Sequence, residues 1–263
     1  MIFAEFMKKM KQAQNYALDD PQRTLIHKEI ILEKPFLKKL YTEWYRYFVK
    51  KSQIVEGSYL EIGSGGGFLK NVFPKVITSD ILELDTVDII CDAQQLPFNN
   101  ESLAAIMMLN VFHHIPKPYQ FLEEAQRTLV PKGRIIMIEP ANTPFAKFIY
   151  THFHHEDFDP NGDMEIAEGK PLSYSNQALP YIYFKREKEA FVHNFPLLKI
   201  THLNYHTPFA YLLSGGLSKP SILPGFLYEF IRSLEKLFTP FNKLLGLFYM
   251  IEIEKKTIKQ DIN

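Results

Sequence analysis

Ser58-Tyr59-Leu60-Glu61-Ile62-Gly63-Ser64-Gly65-Gly66-Gly67 decides how this 263-residue chain is read. SYLEIG has the short apolar texture of a buried strand, and the texture of the chain changes at Gly57-Ser58. Four of the 12 glycines crowd between 63 and 67, directly after that strand. Without Cβ atoms the backbone there can turn sharply and approach a ligand, with the amides of a following helix facing it. A dinucleotide loop needs G-x-G-x-x-G, but Gly63-x-Gly65-x-x lands on Phe68. The pattern that fits is an acid, Glu61, two residues before a G-x-G-x-G triplet at Gly63, Gly65 and Gly67.

Working outward, a short helix is expected from Phe68 to about Phe73, then strands at 76–81, 87–91 and 103–110. Pro118 suits a helix first turn, and Phe121, Leu122, Ala125 and Leu129 give that helix an inward stripe. Residues 130–133 read as a turn, with Gly133 a turn glycine and not a site residue, and RIIMIEP (134–140) as a fifth strand. Alternating strands and helices predict a parallel sheet covered on both faces. Before this core, residues 1–52 form a helical arm punctuated by Pro21 and Pro35, in which Leu37, Leu40, Tyr41, Trp44, Tyr45 and Phe48 share a face. After it, a helix is expected at 145–153, an irregular excursion at 154–180, strands at 198–206 and 247–256, and an aromatic helix at about 226–238. The division is a helical arm (1–52), a core (53–140), a lid insertion (141–195) and closing strands (196–263), together one catalytic domain.

The glycine triplet resembles motif I of the class I S-adenosylmethionine (SAM)-dependent methyltransferases, of the type 11 or quinone-biosynthesis-like subgroup. ITSD, CDAQQLPF, LNVFHHI and RTLVPKGRIIMIEP follow in the order that family shows, so the resemblance spans about residues 58–140. It implies a Rossmann-like, doubly wound α/β sheet of seven strands with the last antiparallel, an N-terminal helical arm and a C-terminal cap insertion. It further implies that Gly63, Ser64, Gly65 and Gly67 pass under the methionine part of SAM and that Glu61 fixes the loop and reaches the amino group. Asp80, 17 residues past Gly63, would accept from the ribose hydroxyls, with Ile81 beside it. Asp92 would take the adenine amino group, with Ala93 facing the ring, and Leu109 and Asn110 would lie beside the sulfonium. S-adenosylhomocysteine would be the product.

Five of the nine histidines fall between 113 and 155. His113 and His114 follow the fourth strand and point near the carboxyl edge of the sheet, where open α/β folds bind ligands. His113, His114 and, in the polar lid loop, His155 are candidate general bases; the lid also offers Glu156 to the acceptor pocket. Asp157-x-Asp159-x-Asn161-Gly162 with Glu168 has the spacing of a calcium loop. Pro160 and Gly169-Lys170-Pro171 oppose the helix such a loop requires, and no metal ligands are assigned. In the aromatic helix Leu227, Phe230, Ile231, Leu234, Leu237 and Phe238 share one face. Core packing is its expected use, with an acceptor tunnel or a membrane-surface face as alternatives.

Lys and Arg total 30 and so do Asp and Glu, and this balance supplies no field to gather a polyanion, which excludes broad nucleic-acid binding. Cys91 is the only cysteine, so an intrachain disulfide and a cysteine zinc site are excluded. No apolar run reaches the roughly 18 residues that span a bilayer, and a cytoplasmic protein is expected. Phe and Tyr make up 14% of the whole chain with Trp, but 21 of the 110 residues in 141–250. The expected function is methyl transfer by direct displacement to a small apolar or glycolipid-like acceptor. A nicotinamide-dependent oxidoreductase and a non-catalytic methyltransferase-like binding subunit are the alternatives.

Overall fold

β4 (Leu103–Leu109, LAAIMML) shows why the sheet forms where it does. It is buried on both faces, which a strand achieves only when layers cover both sides of the sheet. Its alternate residues serve two cores. Leu103, Ile106 and Met108 join one with Leu60, Ile62, Ile135 and Met137, while Ala105 and Met107 join the other with Ile136 and Ile138.

The computed structural model describes residues 3–257. Its arm consists of α1 (Phe3–Gln14), α2 (Pro21–Glu33) and α3 (Pro35–Ser52), with Pro at the first turn of the second and third. β1 (Ser58–Ile62), α4 (Leu69–Val72), β2 (Val76–Asp80) and β3 (Ile89–Ile90) come before β4. α5 (Pro118–Thr128), β5 (Leu129–Pro140) and α6 (Pro144–Phe153) come after it. The C-terminal half contributes α7 (Leu179–Tyr181), a wide π turn at Ile182–Arg186, α8 (Lys188–Asn194), β6 (Leu198–His206), α9 (Ala210–Leu213), α10 (Tyr228–Leu237), α11 (Asn242–Leu245) and β7 (Phe248–Lys255). The seven strands lie in the order β3-β2-β1-β4-β5-β7-β6, with β7 antiparallel to both neighbours, as expected for the class.

Several elements differ from the sequence reading. The third strand shrinks to two residues, because Asp88 turns to bond the Thr78 amide (2.8 Å) and hydroxyl (2.9 Å) of β2. The turn expected at 130–133 lies inside β5, with Lys132 at φ 66° and a register shift opposite β4. A Cβ on Gly133 would stand 2.8 Å from the Val130 carbonyl, which accounts for glycine there in structural terms. α7 to α8 escaped detection because YIYF is apolar without a period; Leu179, Ile182, Tyr183, Phe184 and Phe191 are buried against Phe112 and α5 residues. The sharpest difference is in α10. Of the expected face Ile231 packs on the core, but Phe230 is 60% and Leu237 71% exposed, with Leu234 and Phe238 exposed as well.

On the other side of the sheet, α3 lays Trp44 against Phe248 (ring centroids 5.2 Å) and Tyr211 (6.3 Å), fixing the arm to β7 and α9. The loop from α2 to α3 is held by buried Lys34, whose ammonium donates to the carbonyls of Gly216 and Lys219. These contacts bring the arm and the segment after α9 to the carboxyl edge of the sheet, around one cavity.

Candidate active site

The cavity measures about 1080 Å³ and runs from the glycine loop to the lid. At its floor Gly63 and Gly65 adopt φ +66° and +41°, a region that side-chain-bearing residues avoid. A Cβ on Gly63 would sit 2.5 Å from the Val111 side chain, and one on Gly67 2.5 Å from the Tyr45 hydroxyl. The arm therefore packs directly on the loop, and the glycines are required by contact as well as by torsion.

Two acids fix this loop. Glu61 is buried and accepts from the Ser64 hydroxyl (2.7 Å). Burial pushes its carboxyl up to about 8, with the Ser64 bond opposing and Asp80 adding to the rise. Asp80 ends β2 and accepts from the amides of Gly65 (2.8 Å) and Leu82 (2.9 Å), one on each oxygen. Burial raises its pKa as well, with those amides opposing. Each oxygen keeps a second lone pair for a hydroxyl donor. Asp92 closes a turn onto the Gln94 amide (2.8 Å) and lines the cavity beside Ala93. Ile81 is half-exposed in the wall, and Leu109 and Asn110 continue it. Asn110 takes φ +55°, tolerable for asparagine, and its side-chain oxygen is buried without a partner.

At the other end stands a cluster of histidines and carboxylates. Glu139, fully buried at the end of β5, accepts from the Val111 and Phe112 amides (both 2.8 Å) and pairs with His113 Nδ1 (2.7 Å). The far nitrogen of His113 faces Glu156 at 3.3 Å, and His114 Nε2 faces the other oxygen of Glu156 at 3.6 Å. Burial alone would neutralise His113, yet the two carboxylates raise it to about 9, so it is an imidazolium at neutral pH. Glu156 is partly buried, which would raise its carboxyl, but the histidines, His113 first, hold it far below the usual range. His114 is driven down to about 4, first by burial and then by the neighbouring charge on His113. His155 is mostly exposed and reaches Glu156 only at 3.8 Å.

The sequence-predicted residues are thus brought to one cavity: Glu61, Gly63, Ser64, Gly65, Gly67, Asp80, Ile81, Asp92, Ala93, Leu109, Asn110, His113, His114 and His155 all line it. Glu139 was missed, although an acid closing an otherwise apolar strand in RIIMIEP is a visible signal. The arm was expected to close over the acceptor, but none of its residues was assigned to the site; Met10, Arg23, Thr24, His27, Tyr41 and Tyr45 form part of the wall. Ligand atoms of His113, His114 and Glu156 lie within 4.8 Å of one another, a spacing that suits a cation. A doubly protonated His113 has no lone pair to give, so the ion pair is the arrangement the geometry favours. In the calcium-like string residues 154–178 are irregular and form none of the exit helix a calcium loop requires, and Glu168 turns instead to Lys117.

Residues 60–137 match the family model of a methyltransferase domain, the stretch that carries the glycine loop, Asp80, Asp92, Asn110 and His113. Over these residues the chain carries a methyltransferase domain, which favours the methyltransferase reading of the glycine turn over the nicotinamide one. Among solved structures it is similar to geranyl diphosphate C-methyltransferase from Streptomyces coelicolor A3(2), solved with Mg2+, geranyl diphosphate and S-adenosylhomocysteine. The TM-score is 0.50 at 13% identity, over 92% of this chain and 89% of that one. A geranyl diphosphate methyltransferase complexed with its diphosphate and sinefungin gives 0.52 at 13% identity, over 92% and 86%. At such identity these likenesses establish the shared fold. No curated protein matches the sequence.

Proposed function

We propose that this methyltransferase acts on a small acceptor with a substantial apolar part, and that the sequence-predicted residues hold the cofactor. The observation that carries the reading is one continuous cavity lined by the glycine loop and its acids, by the Glu156 cluster with Tyr150 and Tyr211 near it, and by the rings of Tyr41 and Phe248.

The residues present fit SAM. The glycine loop leaves a cradle that any Cβ at 63 or 67 would disrupt, Asp80 offers two free lone pairs, and the orphaned Asn110 oxygen awaits a donor or a positive centre. When bound, SAM supplies a methyl group already activated by its sulfonium. Asp80 would accept from the ribose hydroxyls, Asp92 and Ala93 would hold the adenine, Ile81 would pack on it, and Glu61 would meet the ammonium. Leu109 and Asn110 would border the sulfonium.

What remains for the chain is alignment and removal of a proton. Aromatic walls keep water away from the acceptor, and orientation supplies much of the rate. A hydroxyl or amine becomes strongly acidic as it gains a methyl group, so a weak, permanently ionised base suffices to take its proton. Glu156 is that base: its carboxylate is kept ionised by His113 and faces His114, which is neutral at pH 7. His113 acts through Glu156, and His155 borders the lid side.

Calorimetry with S-adenosylhomocysteine and NAD, followed by methyl transfer from isotopically labelled SAM to a panel of alkyl-chain and sugar acceptors, tests this. Glu156→Gln is expected to lower kcat by about 10²-fold and to leave S-adenosylhomocysteine affinity unchanged. NAD binding without S-adenosylhomocysteine binding would refute the cofactor reading, and an unchanged kcat the assignment of the base.

A further inference from the structure

α10 is amphipathic in the reverse of the usual sense. Its inward side is polar: Tyr228 and Arg232 bond Glu43 of α3, and the buried carboxylate of Glu235 accepts the Phe209 and Ala210 amides (2.7 and 2.6 Å) while pairing with Arg232. Its outward side, with the turns around it, is apolar. Phe226 is 79% exposed, Leu237 71% and Ile222 69%, and Phe230, Phe241 and Leu244 are each more than half exposed. A helix that spends its polar stripe on its own protein and offers phenylalanines outward has been built for an apolar environment outside the fold.

Charge on this face selects the environment. The whole chain is neutral, yet Lys147, Lys219, Lys236 and Lys243 stand exposed around the patch. Residues 209–247 hold only two acids, Glu229 and the buried Glu235, and α6 holds none. A second copy laid face to face would oppose lysines to lysines, and lysine is depleted in such interfaces. A bilayer with anionic headgroups accepts phenylalanine rings and lysine fringes together.

The patch is also joined to the cavity. Phe209 touches the rings of Phe238 (5.3 Å) and Phe145 (6.2 Å) on the surface side, and two residues later Tyr211 lines the cavity. Leu217 and Ser218 line it too, and the next residue, Lys219, lies 5.7 Å from the exposed Phe153 ring. One segment, pinned by Lys34, is therefore both cavity wall and patch.

We propose that the α10–α11 face docks on an anionic membrane surface and that the acceptor is a bilayer-resident amphiphile taken into the cavity beside residues 209–219; the acceptor part rests on the methyl-transfer reading above. Docking is monotopic: among the described residues no helix is long and apolar enough to cross a membrane.

The test is co-sedimentation of the full chain with phosphatidylcholine vesicles, with and without phosphatidylglycerol. Binding is expected to the anionic vesicles, to fall about tenfold or more in the double variant Phe230→Ser/Leu237→Ser, and to weaken with salt in the parent. Lys236→Glu/Lys243→Glu is expected to abolish the preference for phosphatidylglycerol. All variants should keep the parent's melting temperature and S-adenosylhomocysteine affinity, since none of these side chains lines the cavity. No binding by the parent chain overturns the proposal, as does a dimer in analytical ultracentrifugation that the serine variants dissociate without any vesicle binding. Loss of S-adenosylhomocysteine binding with vesicle binding intact would instead defeat the methyl-transfer site, so the two failures read differently. Equal turnover of a micelle-free, water-soluble acceptor with and without vesicles would overturn the bilayer-resident acceptor.

Discussion

Replacing Glu139 by Gln tests the electrostatic logic of the site. Glutamine keeps an oxygen for the Val111 and Phe112 amides but turns an NH2 group toward His113 Nδ1, where the native carboxylate pairs at 2.7 Å. The imidazole then loses its charged partner, becomes neutral, and donates from its other nitrogen to Glu156. In the native fold His113 is raised from 6.5 to about 9. A raised basic group stabilises the fold fully below its unfolded value and loses that contribution as pH climbs through the folded one. The native pairing is thus worth at most about 3 kcal/mol at pH 6, and the benefit disappears between about pH 6.5 and 9. Glu156 shares in holding the proton, so about 3 kcal/mol is a ceiling for the variant. Urea unfolding of both proteins at intervals from pH 6 to 10 should show a stability gap that is widest at pH 6 and closes toward pH 10. His113 followed by NMR should titrate near 9 in the parent and well below that in the variant. A gap independent of pH, or a parent His113 titrating near 6.5, would show that Glu139 serves only as an amide acceptor.

Other consequences follow from the same geometry. Asp80→Ala should weaken S-adenosylhomocysteine binding by about a hundredfold, because two hydrogen bonds to a charged acceptor are each worth roughly 1.5–3 kcal/mol; calorimetry checks it. Glu61, pushed up to about 8, is mostly protonated at pH 7 and should ionise when the ligand's ammonium docks, so calorimetry in buffers of different ionisation enthalpy should report proton release. A Cβ on Gly67 would meet the Tyr45 hydroxyl at 2.5 Å and the Ser64 carbonyl at 2.7 Å, so Gly67→Ala should cost about 1–3 kcal/mol in thermal unfolding. Tyr45→Phe in that background should restore part of it, leaving the Ser64 contact unrelieved.

The sequence was most legible where one local rule governs each element. Strands buried on both faces read as unbroken apolar runs, and glycines that a ligand loop demands stand out against Glu61 and Asp80, so β1 to β5 and the cofactor end could be placed from the chain alone. Legibility failed where partners come from distant segments. Nothing near His113 in the chain announces Glu139, 26 residues on, or that both nitrogens of the ring will face carboxylates. The arm's contact with the glycine loop depends on Tyr45 arriving at Gly67, which only the tertiary fold decides. The aromatic excess after residue 140 was likewise ambiguous, for those rings divide among the core (Tyr183, Phe184), the cavity (Tyr150, Tyr211) and the outer surface (Phe226, Phe230).

α10 shows why helical periodicity could name a face but not its direction. The apolar stripe of Phe230, Leu234 and Leu237 is as regular as any core helix shows, and a core is the usual destination of such a stripe. What reverses it is the opposite stripe. Tyr228, Arg232 and Glu235 lie at i, i+4 and i+7, a polar run whose members satisfy one another only if Glu43 and two backbone amides are brought to them. Once α3 supplies Glu43, turning the helix over would lay phenylalanine and leucine side chains against Glu43 and the Phe209 and Ala210 amides with their partners gone, and polar groups left unpaired against apolar side chains cost more than the exposed phenylalanines forfeit. The inward network therefore fixes the outward hydrophobicity, and the exposed rings are a consequence of a polar anchor that the fold holds firmly in place.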